Sequence, residues 1–69
     1  MKAFFITWKR LAERLSMDGI PLEPCQNVYD LSLPAWKCEL TEQAAELIAA
    51  EYRKAHRTVP AVVLGALRQ

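Results

Sequence analysis

Three side chains in this sequence have the chemistry to bind a metal or attack an electrophile: Cys25, Cys38 and His56. A structural zinc site wants four close ligands, usually supplied as tightly spaced Cys or His pairs. Here the cysteines stand 13 positions apart and His56 follows 18 further on, so no pair is local. No metal and no cofactor is therefore expected. A Cys–His nucleophilic couple needs its partners to meet in space. His56 lies among Arg53, Lys54 and Arg57, the setting of a solvated helix end. The only glycines are Gly19 and Gly65, so no glycine-rich phosphate loop exists. Pockets of ~300 Å³ or more are also hard to carve from so short a chain. These features argue against an enzyme.

Basic side chains offer a second chemistry. Lys9, Arg10 and Arg14 cluster near the start, and Arg53, Lys54 and Arg57 cluster later. Joined in one patch, they would bind phosphates of a nucleic acid without sequence preference. The break at Thr58-Val59-Pro60 followed by another helical stretch resembles a helix-turn-helix in outline. A recognition helix, however, needs polar and basic groups for phosphates and base edges, and this stretch is Val, Leu and Ala. Net charge is +1 but unevenly spread: residues 1–17 carry +3, residues 18–51 carry −6 and residues 52–69 carry +4. That pattern fits internal neutralisation, or a polarised surface that steers a charged partner. Nucleic-acid binding is kept as the alternative function.

The elements that must position these groups are mainly helical. Phe4, Trp8, Leu11 and Leu15 recur at spacings of four, three and four, which predicts a helix from Thr7 to about Met17. Asp18-Gly19 stops it. The opening run Ala3-Phe4-Phe5-Ile6 satisfies a helix and a short strand equally. Pro21, Pro24 and Pro34 forbid a continuous helix through residues 20–40. Two stretches there alternate: Val28–Leu33 places Tyr29, Leu31 and Leu33 on one face, and Trp36–Leu40 places Trp36, Cys38 and Leu40 on one face. They predict a small hairpin, with an ordered loop pinned by Tyr29 and Trp36 as the alternative. Thr41 is a good N-cap for a helix over 42–57, with Glu42 and Glu46 early and Arg53, Lys54 and Arg57 late. Ala44, Ala45, Ile48, Tyr52 and Ala55 form its apolar stripe. A last helix, Pro60–Leu67, is apolar nearly all round. The expected fold is thus mainly α, with α+β as the alternative, in the order α-(ββ)-α-α, within a single small domain.

The chain has 69 residues, 52% of them hydrophobic and 25% charged, a composition that folds. So short a chain buries only about 60% of its unfolded surface and gains from self-association. The apolar run at the start is shorter than the ~7–15 residues of an export signal core, and nothing approaches the ~18 residues of a membrane span. A cytoplasmic protein with reduced thiols and no membrane partner is expected.

Protein binding remains. Val62, Val63, Leu64 and Leu67 exceed what one small core needs, and Tyr29 and Trp36 are typical interface material. The expected function is a non-catalytic regulator or inhibitor that occludes the surface of another protein, dimerising through its C-terminal helices. Small regulators encoded by phages and other mobile elements share this general size and charge.

Overall fold

The computed structural model describes residues 2–68. It corrects the expected fold class: the protein is α+β, in the order β-α-β-β-α-α, not mainly α in the order α-(ββ)-α-α. The elements are β1 (Ala3–Ile6), α1 (Lys9–Met17), β2 (Glu23–Gln26), β3 (Pro34–Glu39), α2 (Glu42–Lys54) and α3 (Ala61–Leu67). They divide between Glu39 and Leu40 into two compact units.

The first unit is a three-stranded antiparallel sheet with its crossover helix. Strand order is β1-β3-β2, so β1 and β2 run parallel to each other on either side of β3. Helix α1 makes the crossover between them, a split β-α-β arrangement. The ambiguous run at residues 3–6 becomes a strand because every residue finds a partner on β3: Ala3 opposite Glu39, Phe4 opposite Cys38, Phe5 opposite Lys37 and Ile6 opposite Trp36. The period of two then separates buried Phe4 and Ile6 from exposed Ala3 and Phe5. Phe4 and Trp8 therefore leave the predicted helical stripe, and the helix begins at Lys9, with Trp8 extended at the N-cap. Its buried residues are Leu11, Ala12 and Leu15, and α1 packs on β1 and β3.

The predicted hairpin exists but with different strands. Its first strand is Glu23–Gln26, not Val28–Leu33. Pro24 is tolerated because β2 is an edge strand, where a missing N–H costs no ladder bond on the outer side. Its second strand begins at Pro34, two residues before the expected start, and ends at Glu39. As the central strand it pairs on both sides: Trp36 lies between Ile6 and Pro24, and Lys37 between Phe5 and Glu23. Lys37 Nζ and Glu23 Oε1 are 3.8 Å apart on that row.

The second unit is a helix pair, α2 packed on α3. Thr41 caps α2, its Oγ1 accepting from the Ala44 amide at 3.1 Å. Ala44, Ala45, Ile48, Ala49 and Glu51 are buried on α2. The helix ends at Lys54, three residues earlier than the composition predicts. His56 takes a left-handed φ of 55°, its amide donating to Arg53 O at 3.1 Å and the Arg57 amide to Tyr52 O at 2.8 Å. That is a Schellman ending, and α1 has the same one. There Gly19 (φ 80°) donates to Ser16 O at 3.1 Å and Ile20 to Leu15 O at 3.0 Å. Helix α3 then starts after Pro60, whose carbonyl accepts from the Val63 and Leu64 amides.

Candidate protein-docking loop

The segment joining β2 to β3, residues 27–33, is shaped by its polar side chains. Asn27 is buried, and its Oδ1 accepts from the amides of Tyr29 (3.0 Å) and Asp30 (3.2 Å). Asp30 repeats the move one step on: its Oδ1 accepts from the Ser32 amide at 3.0 Å and the Ser32 hydroxyl at 2.6 Å. The Leu33 amide closes the turn on Asp30 O at 3.0 Å. Asn and Asp favour such local bonds to the backbone over a strand ladder. The Ser32 hydroxyl first, and the Ser32 amide second, hold the Asp30 carboxyl below its ordinary pKa, against a small opposing effect of burial.

With the backbone committed this way, the large side chains face out. Val28 is 70% exposed, Tyr29 85%, Leu31 72% and Leu33 54%. Scattered surface hydrophobes need no explanation, but several grouped on one segment make it a candidate for binding. Four of the six residues from 28 to 33 belong to this set, all on one exposed loop. The loop can insert apolar side chains, and a phenol, into a complementary cleft.

The other sequence-derived candidates are distributed as follows. Tyr29 lies in the loop. Trp36 is half-buried in the central strand. On α3, Val62 is 40% exposed, Leu64 and Leu67 are half-buried, and Val63 is fully buried. Val63 is thus committed to the interior, and α3 offers less free apolar surface than its composition suggests. Alternation in the sequence places Leu31 and Leu33 on a strand face, and nothing in it gives Val28, Leu31 or Leu33 a binding role. The turn-forming spacing of Asn27, Asp30 and Ser32 was the signal that identifies the loop.

Of the basic residues, Lys9, Arg10 and Arg14 belong to the first unit and Arg53, Lys54 and Arg57 to the second. Acidic neighbours occupy several of them: Lys9 with Glu13 at 4.0 Å, Arg14 with Asp18 at 3.0 Å, and Lys54 with Glu51 at 3.5 Å. The exposed pairs contribute about 0–1 kcal/mol each. Before Leu40 there are five basic and five acidic residues, and from Leu40 on four basic and three acidic. The alternation of charge along the chain therefore leaves the first unit neutral and the second at +1. This arrangement lends no support to a dedicated phosphate-binding patch.

Cys25 and Cys38 are both free thiols. Cys25 stands opposite Ala35 and Cys38 opposite Phe4. Ala35 and Cys38 are three positions apart on one strand, so the two thiols point to opposite faces of the sheet. Burial pushes the Cys38 thiol above its ordinary pKa, which disfavours the nucleophilic thiolate. His56 is exposed at its helix ending. Among the described residues no group of three His, Cys, Asp or Glu side chains is placed to hold a metal ion. Among them, too, no helix is long and apolar enough to cross a membrane.

Comparison with protein families, with curated proteins and with solved structures returns no match for this chain.

Proposed function

We propose that the protein is a non-catalytic binding regulator that occludes a surface of another protein, and that the hairpin loop Val28–Leu33 is its docking element. One observation carries this reading: four large apolar side chains are held out in solvent on a loop whose backbone is already fixed by Asn27 and Asp30. Ordering a flexible loop at an interface costs affinity, on the order of 0.5–1.5 kcal/mol per immobilised side chain. A loop ordered in advance avoids part of that cost. Tyr29 suits the centre of the contact, since tyrosine brings a large apolar face and a hydroxyl with few rotatable bonds. A partner of matching chemistry has an apolar cleft with a hydrogen-bonding group at its base.

The test is affinity capture from the native cell, with wild-type and Leu31→Asp proteins compared in low- and high-salt washes. A protein retained in stoichiometric amount by the wild type through high salt, and lost by a Leu31→Asp variant of unchanged stability, supports the loop. Capture that is indifferent to Leu31→Asp, or that is confined to nucleic acid and collapses with salt, overturns it.

A further inference from the structure

The two outer edges of the sheet are built differently. On β2 the edge carries Pro24, which cannot donate, and Glu23, which is charged. Both are devices that stop another strand from adding. On β1 the edge is Ala3-Phe4-Phe5-Ile6, with no proline and no charge from Ala3 to Thr7. Its inner side pairs with β3. On its outer side, residues 3–6 make no backbone hydrogen bond among the described residues. Every second residue of an edge strand directs both its N–H and its C=O away from the sheet, and those groups are satisfied best by another strand.

We infer that β1 is a self-pairing edge, at which two copies of this chain join antiparallel about a two-fold axis into one six-stranded sheet. An axis perpendicular to the sheet keeps each face continuous only if a residue pairs with its own counterpart. Pairing centred on Phe4 sets the partner's buried Ile6 opposite Lys2, a charged and exposed residue outside the strand. Pairing centred on Phe5 sets Phe4 opposite the partner's Ile6 and Ala3 opposite the partner's Thr7, so the register is centred on Phe5. Buried Phe4 and Ile6 then continue one apolar row, and the two half-exposed Phe5 rings meet as a cross-strand aromatic pair. Beyond each Phe5 the row runs to Lys37, which already faces Glu23, so no unpaired like charges are brought together. A second copy fits this edge because the edge is uncharged and complementary to itself; a charged strand would set its charge against Phe5. Four residues per strand bury less than the roughly 1,000 Å² of a stable dimer, so the association is a weak one, to be sought at high micromolar to millimolar concentration.

This inference is independent of the docking loop. Its test is sedimentation velocity of the full chain from low micromolar to about 1 mM concentration, on wild type, Phe5→Lys, Ala3→Lys and Leu31→Asp. The expected result is a concentration-dependent dimer in the wild type and in Leu31→Asp. In the two lysine variants association weakens by about tenfold or more, while their circular dichroism stays that of the wild type. A wild type that stays monomeric throughout overturns the proposal, as does a dimer indifferent to both lysines or abolished by Leu31→Asp. If the lysine variants do not fold, isotope-edited NMR of a mixed labelled and unlabelled wild-type sample decides. Contacts between Phe4 and the partner's Ile6 support the pairing, and their absence in a dimer overturns it.

Discussion

The hairpin loop and helix α3 are similar in length and each carries four large apolar side chains, yet those side chains meet different fates. Helix α3 contributes Val62, Val63, Leu64 and Leu67, of which Val63 is fully buried and Leu64 and Leu67 are half-buried. The loop contributes Val28, Tyr29, Leu31 and Leu33, all exposed. The difference is in how each segment satisfies its backbone. A helix bonds its own amides and leaves its side chains to follow the hydrophobic effect. Four of the loop's amides, those of Tyr29, Asp30, Ser32 and Leu33, bond to Asn27 and Asp30, so Asn27 occupies the interior position and the apolar residues are turned out. Hydrophobicity alone does not decide burial here; the route taken by the backbone hydrogen bonds does.

Charge placed in each segment gives the largest contrast. Val63→Asp buries a charge without a partner and is expected to cost about 3–5 kcal/mol. Leu31→Asp adds a charge to a solvated side and is expected to change stability by no more than about 0.5 kcal/mol. Urea unfolding of the two variants measures the gap. Equal losses would mean that the loop is part of the core, and would remove the basis of the docking proposal.

Asn27→Ala sharpens the contrast from the backbone side. It deletes the acceptor for two amides at a buried position, an expected loss of about 1–3 kcal/mol. Hydrogen exchange at the Tyr29 and Asp30 amides should accelerate, while amides within α3 keep wild-type protection relative to global unfolding. Uniform acceleration across the chain would show that the loop is held by something other than Asn27.

The two helix endings allow a finer version of the same comparison. Gly19 and His56 occupy equivalent left-handed positions, and a Cβ at Gly19 would meet nothing within 4 Å. Gly19→Ala therefore incurs only the backbone penalty, about 1–2 kcal/mol. His56→Gly removes that penalty and should stabilise by about 1 kcal/mol or less, since glycine also loosens the unfolded chain. Thermal midpoints moving in opposite directions are the expected result.

These endings also show what could be read in the residues and what could not. The start of α2 was legible at Thr41, because capping is a local bond between neighbours. Its end was not, because a histidine in the left-handed region carries no mark comparable to Gly19 at the end of α1. Strand β1 was ambiguous because four consecutive apolar residues fit two periods, and pairing to residues 36–39 decides between them. Pro24 speaks in the sequence only against a helix, and its place in a strand depends on β2 lying at the edge of the finished sheet. Of the loop, Tyr29 was recognisable as interface material. Val28, Leu31 and Leu33 were not, because their outward placement depends on Asn27 being buried.

The smallest effect expected is one of pH, confined to the loop. Asp30 has a folded pKa below its ordinary 3.8, caused first by the Ser32 hydroxyl and then by the Ser32 amide. A depressed carboxyl contributes its stabilisation above the unfolded value and loses it as pH falls through the folded one. The loop should therefore stay ordered from neutral pH down to the usual carboxylate range and loosen only below it. The Ser32 amide resonance, followed by NMR titration, should move with that midpoint. The amides bonded to the uncharged Asn27 side chain should move little over the same range. Asp30→Asn should abolish the transition. A Ser32 amide that titrates at the ordinary value would show that Asp30 and Ser32 are not bonded in solution. Half of the device holding Val28–Leu33 outward would then be absent, and the contrast with α3 would rest on Asn27 alone.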